Sequence, residues 1–118
     1  MDAAMEDADD YPYIADMEDC FYDSQDTKVA VNSCTLITPN APAQIKAALQ
    51  RGPVIVEMEA DQRIIQYYSG GIIETDLCGI NLDHAVLIVG VGTYANGQYF
   101  LIKNSWGTDW GEDGYMRI

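Results

Sequence analysis

The sequence predicts an α+β fold in which two short helices pack beside a mainly antiparallel sheet, and three observations support this. Apolar residues make up 48% of the 118 residues, enough to bury one core. Apolar side chains recur at helical spacing within residues 42–51 and 61–71. Two long apolar runs, residues 84–92 and 98–104, flank a turn sequence as the strands of a hairpin do.

The helices are predicted from where the apolar stripe begins and where glycine and proline end it. Pro42 suits a first helical turn, and the Gly52-Pro53 pair ends the segment, so the first helix covers about residues 42–51. The second helix lies within residues 61–71 and is expected to turn three side chains inward: Ile64, Ile65 and Tyr68.

The strands are predicted from alternation and from continuous apolar runs. In PVIVEMEA, residues 53–60, Val54, Val56 and Met58 share one face, and the alternating residues take the other. HAVLIVGVG reads as a strand buried on both faces. Short strands are also predicted at residues 29–31, 35–37 and 115–118.

Acidity is concentrated at the N-terminus of a chain whose formal net charge is −13. Residues 1–26 contain ten acidic residues and no Lys or Arg. We interpret residues 1–10 as a solvated or disordered lead and residues 11–118 as the folded domain, with an acidic interaction segment as the alternative. The excess of negative charge argues against binding to nucleic acid or anionic membranes. The sequence shows neither an 18-residue apolar run nor a visible signal peptide.

Three cysteines and one histidine form no recognisable metal pattern. The spacing of Cys20, Cys34 and Cys78 matches no zinc motif, so no metal or other cofactor is predicted. An odd count leaves at least one thiol unpaired within the chain. A Cys20–Cys34 bridge and three free thiols both remain open.

His84 opens the first strand of the predicted hairpin, and Asn104 closes the second. A register that sets the two opposite each other requires the connection to be residues 91–97, which the glycines of GVGTYANG favour. A two-residue turn at residues 96–97 would instead set Asn104 against Val89. A His–Asn contact therefore predicts the longer loop.

The pairing of an imidazole with an amide suits nucleophilic catalysis. The imidazole acts as base towards a nucleophile and later as acid towards the leaving group. The amide oxygen of Asn104 would accept the other ring N–H of His84 and hold the ring without adding charge, and Trp106 would cover that bond. The alternative is structural, a satisfied histidine in a sheet and an asparagine in a turn.

Several segments resemble the papain family of cysteine peptidases, which includes the cathepsins. They are LDHAVLIVGVG, YFLIKNSWGTDWGEDGYMRI, QRGPVIVEMEA and YYSGGI, together with YPY followed by Cys20, in matching order over about residues 11–118. The resemblance implies the right-hand, β-barrel-like domain of a two-domain fold whose active site lies in the cleft between the domains.

The resemblance also implies roles for individual residues and a peptide or protein substrate. His84 would be the catalytic imidazole, Asn104 would orient it, and Trp106 would shield their hydrogen bond. The pocket for the second residue before the scissile bond would be lined by Glu57, Leu82, Asp83 and Ala85. A carboxylate at Glu57 predicts tolerance for Arg or Lys beside bulky apolar groups, unless Glu57 simply faces solvent.

The same resemblance places the nucleophilic cysteine and the oxyanion-hole glutamine in the left domain, in a Cys-Gly-Ser-Cys-Trp type of context that none of the three cysteines has. The 118 residues are therefore expected to carry the His/Asn half of an endopeptidase, inactive alone, with a left domain or partner chain across the cleft face. Cys20 and Cys78 would bond to cysteines outside the sequence, and the compartment would be lysosome-like or secreted. The rival hypothesis is a non-catalytic homologue that acts as a binding or structural subunit.

Overall fold

The computed structural model describes residues 3–14, 16–75, 78–95 and 97–118, in two compact units, Met1–Leu36 and Ile37–Ile118. The elements in chain order are β1 (Ala3–Met5), β2 (Val29–Val31), α1 (Pro42–Ala48), β3 (Val54–Met58), α2 (Arg63–Gln66), β4 (His84–Tyr94), β5 (Gly97–Lys103) and β6 (Tyr115–Arg117). The predicted boundary between an acidic lead and the folded domain, at residue 10, stays a prediction.

The first unit is built on one short antiparallel pair. β1 runs against β2 with Met5 opposite Val29, and the rings of Tyr11 and Phe21 lie 5.4 Å apart in the intervening loop. None of its described residues belongs to the buried core. Hydrogen bonds, a ring contact and the Lys28–Asp10 ion pair, rather than a buried core, therefore hold this unit together.

The second unit contains a four-stranded antiparallel sheet in the order β3-β4-β5-β6. β3 and β6 are its edges in the described part of the chain, so the sheet is open and does not close into a barrel. With α1 and α2 beside it, the predicted α+β class is confirmed.

The core lies on one face of this sheet. Val86 and Ile88 of β4, Ile102 of β5 and Met116 of β6 are buried there, and Ile65 of α2 packs against them. Ile64 was predicted to face inward as well, and this is wrong, because it is 40% exposed. A helix of one turn cannot direct two consecutive side chains to the same side.

The predicted helices are longer than the observed ones. α1 ends at Ala48 because the next turn tightens: the N–H groups of Gln50 and Arg51 donate to the carbonyls of Ala47 and Ala48, three residues back. α2 covers only Arg63–Gln66. The predicted strand at residues 35–37 is not formed.

The predicted long loop between the hairpin strands is also wrong. β4 continues to Tyr94, opposite Gly97, so residues 95–96 make the connection, of which Asn96 lies outside the described residues. Ala95 has a φ of 48°, the left-handed conformation that two-residue hairpin turns use. Farther from the turn, a β-bulge between Ile88 and Gly90 shifts the pairing of β4 with β5 by one residue.

All three cysteines, Cys20, Cys34 and Cys78, are free thiols, so the Cys20–Cys34 bridge left open above is not formed. Across the described ranges, no helix has the length and apolar character needed to cross a membrane.

Candidate active site

His84 and Asn104 lie at neighbouring strand ends and contact each other. His84, half-buried, is the first residue of β4, and Asn104 directly follows β5. The ring Nε2 and the amide Oδ1 lie 2.8 Å apart. Continuing the Leu87–Lys103 pairing sets Asn104 opposite Val86, so the contact with His84 is diagonal across the strands. The β-bulge and the two-residue turn thus place His84 and Asn104 in contact without the longer loop that was predicted for this contact.

The hydrogen bonds around Asn104 determine which way its amide points. The backbone N–H of Ser105 donates to Asn104 Oδ1 over 2.8 Å. Because a backbone N–H can only donate, the amide atom that faces both Ser105 and His84 must be the oxygen. His84 Nε2 must therefore carry a proton and donate it, which leaves the lone pair of the neutral ring on Nδ1.

Asn104 has one buried polar atom without a partner. The residue is 9% exposed, and its Nδ2 forms no hydrogen bond with any described residue. Leaving a buried donor unpaired costs free energy. Turning the amide over would place its NH2 group against the Ser105 N–H, which can only donate, so the observed orientation is still the better one.

Two tryptophans link the imidazole ring to α2. Trp106 stacks on His84, with 5.0 Å between ring centroids and 30° between ring planes. Trp110 meets Trp106 edge-on at 5.2 Å, and its Nε1–H donates to the carbonyls of Ile65 and Gln66 at 3.1 and 3.2 Å. Sequence reasoning did not single out Trp110. The available signal was a second tryptophan four residues after Trp106 in the WGTDWG run.

Asp83 joins the start of β4 to the end of β3. Its Oδ1 accepts the N–H of Ala60 over 2.7 Å, and its own N–H donates to the carbonyl of Met58 over 3.1 Å. The residue before His84 is thereby fastened to the neighbouring strand. Its predicted place in the wall of a substrate pocket stays a prediction.

The other predicted pocket residues lie at or near the opposite face of the sheet. Glu57 and Ala85 are exposed and directly paired across β3 and β4, whereas His84 pairs with Met58 on the core side. Leu82, just before β4, is 58% exposed. On this second face lies a shallow depression of about 340 Å³, lined by Ile55, Ala85, Val86, Leu87, Lys103, Asn104 and Ser105.

Within the described residues, no group of three or more His, Cys, Asp or Glu side chains is placed to hold a metal ion.

Comparison with known proteins identifies the family of this arrangement. The family model described as papain family cysteine protease matches residues 2–118. The chain belongs to the papain family of cysteine proteases. The resemblance to this family inferred from the DHAV and KNSWG segments is therefore confirmed.

Individual relatives agree. The chain is 40% identical over 114 residues to Cathepsin L2 of Homo sapiens, covering 92% of this chain and 34% of that protein. It is 42% identical over 109 residues to Papaya proteinase 4 of Carica papaya, covering 92% of this chain and 31% of that protein. The chain spans about a quarter to a third of the length of the curated relatives it matches.

Proposed function

We propose that this chain supplies the His/Asn half of a papain-like cysteine endopeptidase that hydrolyses peptide bonds through a Cys-His-Asn mechanism. The main support is the 2.8 Å contact between His84 Nε2 and Asn104 Oδ1, with the amide oriented by Ser105 N–H. This arrangement occupies one ring nitrogen and leaves the other, Nδ1, as the base.

In the proposed reaction, Nδ1 of His84 takes the proton of a cysteine thiol, giving an imidazolium and a thiolate. The thiolate forms a bond to the peptide carbonyl carbon, and the C–N bond breaks as Nδ1–H protonates the leaving amine. Nδ1 then takes a proton from water as the water oxygen bonds to the acyl carbon. The C–S bond breaks, which releases the acid and restores the thiolate–imidazolium pair. The thiol would come from polypeptide outside these 118 residues, since none of the three cysteines has the nucleophile context.

Asn104 and Trp106 would act by positioning the imidazole. The neutral Oδ1 accepts Nε2–H in both protonation states, so the ring keeps one orientation while its charge changes. Trp106 stacks on the ring and is expected to exclude water from the His–Asn bond, which strengthens the bond in a region of low dielectric constant.

Glu57, Leu82, Asp83 and Ala85 are proposed to line the pocket for the second residue before the scissile bond. Glu57 and Ala85 support this most directly, since they are paired and exposed on one sheet face. A carboxylate beside apolar Leu82 would accept Arg or Lys as well as bulky apolar side chains. If Glu57 serves this role, Glu57→Gln should reduce Arg cleavage relative to Phe cleavage.

The partner proposed for the open sheet face is the domain or chain that carries the thiol. Ile55 is 76% exposed at the centre of β3, and it lies opposite Leu87 on the adjoining strand. Leu87 is half-buried, and an exposed apolar side chain beside another apolar side chain on a sheet is typical of a surface that another chain covers.

The alternative function is a non-catalytic, papain-like binding or structural subunit. It is favoured by one observation, that Cys20, Cys34 and Cys78 occur in EDCFY, NSCTL and DLCGI. In that case, His84 would be a structural side chain and no thiol would be activated beside it.

The test begins with the chain by itself, because His84 is its only histidine and its ring signals are unambiguous by ¹⁵N NMR. We expect a protected Nε2–H in the neutral ring that is lost in Asn104→Ala. The chain is then combined with the thiol-bearing left domain of a papain-family relative, and peptide hydrolysis and labelling by an epoxide-type thiol inhibitor are measured.

The proposal expects labelling at one cysteine in the combined protein but not in the chain alone, and a loss of at least about a hundredfold in hydrolysis for His84→Ala. Assembly without labelling or hydrolysis would support the non-catalytic alternative. A proton on Nδ1 rather than Nε2 would contradict the proposed role of Asn104.

A further inference from the structure

Two carboxylates link the loop that leads into His84 to the residues that follow β3. One belongs to each segment and accepts a hydrogen bond from the other segment. The N–H of Asn81 donates to Glu59 Oε2 over 2.6 Å. The N–H of Ala60 donates to Asp83 Oδ1 over 2.7 Å. Each segment therefore offers the other one carboxylate and one backbone N–H, and these short, charge-assisted bonds are the stronger kind.

Glu59 is itself held in place. The side-chain amide of Gln62 donates to Glu59 Oε1, so both carboxylate oxygens have donors. The hydrogen bond from Asn81 is the main cause of a pKa for Glu59 below its usual value. The carboxylate therefore stays ionised, and its bond to the loop stays charge-assisted, at neutral pH.

Gly79 shows how closely the loop approaches Glu59. A Cβ atom added to Gly79 would overlap the Glu59 carboxylate. The φ of Gly79 is outside the left-handed region, so its backbone conformation does not require glycine. The loop backbone instead lies directly against the carboxylate, so an alanine at this position would displace the end of the Glu59 side chain.

We propose that Glu59 is a positioning residue which, together with Asp83, forms a reciprocal clamp that fixes the loop 79–83. Leu82 lies between the two clamped residues, Asn81 and Asp83, and His84 follows at once. The clamp therefore sets both a proposed wall of the substrate pocket and the start of the strand that carries the imidazole. Its significance for substrate selection depends on the proposed peptidase function.

The experiment uses the full chain and four variants. Glu59→Ala removes the clamp, whereas Glu59→Gln keeps an oxygen that can accept from Asn81. Gly79→Ala pushes the carboxylate away by steric overlap, without changing Glu59. Asp113→Asn is the matched control, since Asp113 is an exposed carboxylate outside the clamp and asparagine tolerates its left-handed backbone. Amide hydrogen exchange and the ring-proton shifts of His84 are measured by NMR.

We expect Asn81 N–H to exchange about tenfold faster in both Glu59→Ala and Gly79→Ala, with Ile102 N–H unchanged as evidence that the fold persists. The His84 ring protons should shift, since they lie against Trp106 and report small displacements. Glu59→Gln and Asp113→Asn should resemble the wild type. The double variant Glu59→Ala/Gly79→Ala should be no worse than the more affected single variant, because both changes remove one contact.

The proposal is overturned if Asn81 exchange is unchanged by Glu59→Ala and Gly79→Ala. It is also overturned if Glu59→Gln behaves like Glu59→Ala, which would point to charge alone, or if the His84 signals do not move. These measurements need no catalysis, so they stand even where the combined protein fails to hydrolyse peptides. Where it does hydrolyse them, Glu59→Ala should raise KM about tenfold with a smaller effect on kcat.

Discussion

The two faces of the four-stranded sheet use alternate residues of the same strands for different purposes. On the core face, β4 buries Val86 and Ile88 and holds His84 at its start. On the other face, β3 exposes Ile55 and Glu57. Side chains buried on the core face stabilise the fold, and the imidazole–amide pair lies on the same face. The other face is free to contact a partner or a substrate. A period of two along a strand is enough to separate these tasks.

The largest expected effect tests this division through stability. Met116 is fully buried on the core face, so Met116→Ala should destabilise the chain by about 2–5 kcal/mol through lost burial and a cavity. Ile55→Ala is the matched control, since Ile55 is 76% exposed and its loss should stay within about 0.5 kcal/mol. Urea unfolding measures both. A cost for Ile55→Ala near that of Met116→Ala would show that the second face is part of the folded core.

Strand β3 shows which structural features follow from the local sequence alone. In PVIVEMEA the alternation of side chains predicts which residues of β3 share a face, and the structure agrees, since Ile55 and Glu57 are exposed together on one side. That prediction depends only on neighbours along one strand. It needs no knowledge of what lies beside the strand.

The hairpin register could not be predicted in the same way. Every position of HAVLIVGVG after His84 is apolar or glycine, so a shift of one residue exchanges equivalent side chains and leaves no pattern to detect. The bulge between Ile88 and Gly90, which sets the diagonal contact of His84 with Asn104, is therefore invisible locally. The link from Trp110 to the carbonyls of α2 spans 45 residues and is equally non-local.

The second prediction concerns Trp110 and tests whether its hydrogen bonds to α2 determine the position of the His84 ring. Trp110→Phe keeps an aromatic ring against Trp106 but removes the N–H that donates to Ile65 and Gln66. We expect a loss of about 1 kcal/mol in stability, typical of one hydrogen bond, together with a shift of the His84 ring protons. Denaturation and NMR of the same sample provide both values. An equal loss of stability without movement of the His84 signals would make Trp110 a structural residue only.

The smallest effect concerns the pH dependence of stability at the β6 edge of the sheet. Arg117 donates through Nε to Glu112 Oε2 over 2.8 Å and forms a second bond through its terminal nitrogen, and Gly71 N–H donates to the same carboxylate. These bonds, led by that with Arg117, hold the pKa of Glu112 below its usual value. A carboxyl with a lowered pKa stabilises the folded state above its unfolded pKa, and this stabilisation is lost as pH falls towards the folded value.

Glu112→Gln should therefore lower stability at pH 7 and flatten the decline between about pH 5 and pH 3. Asp61→Asn is the control of opposite sign. Burial, with the carboxylates of Glu59 and Asp83, raises the pKa of Asp61, so its ionised form opposes folding as pH rises. Removing that charge should leave stability at pH 7 equal or higher. Urea midpoints measured across this pH range compare the two variants. If they change the acid slope in the same direction, it is set by net charge and not by the Glu112–Arg117 bonds.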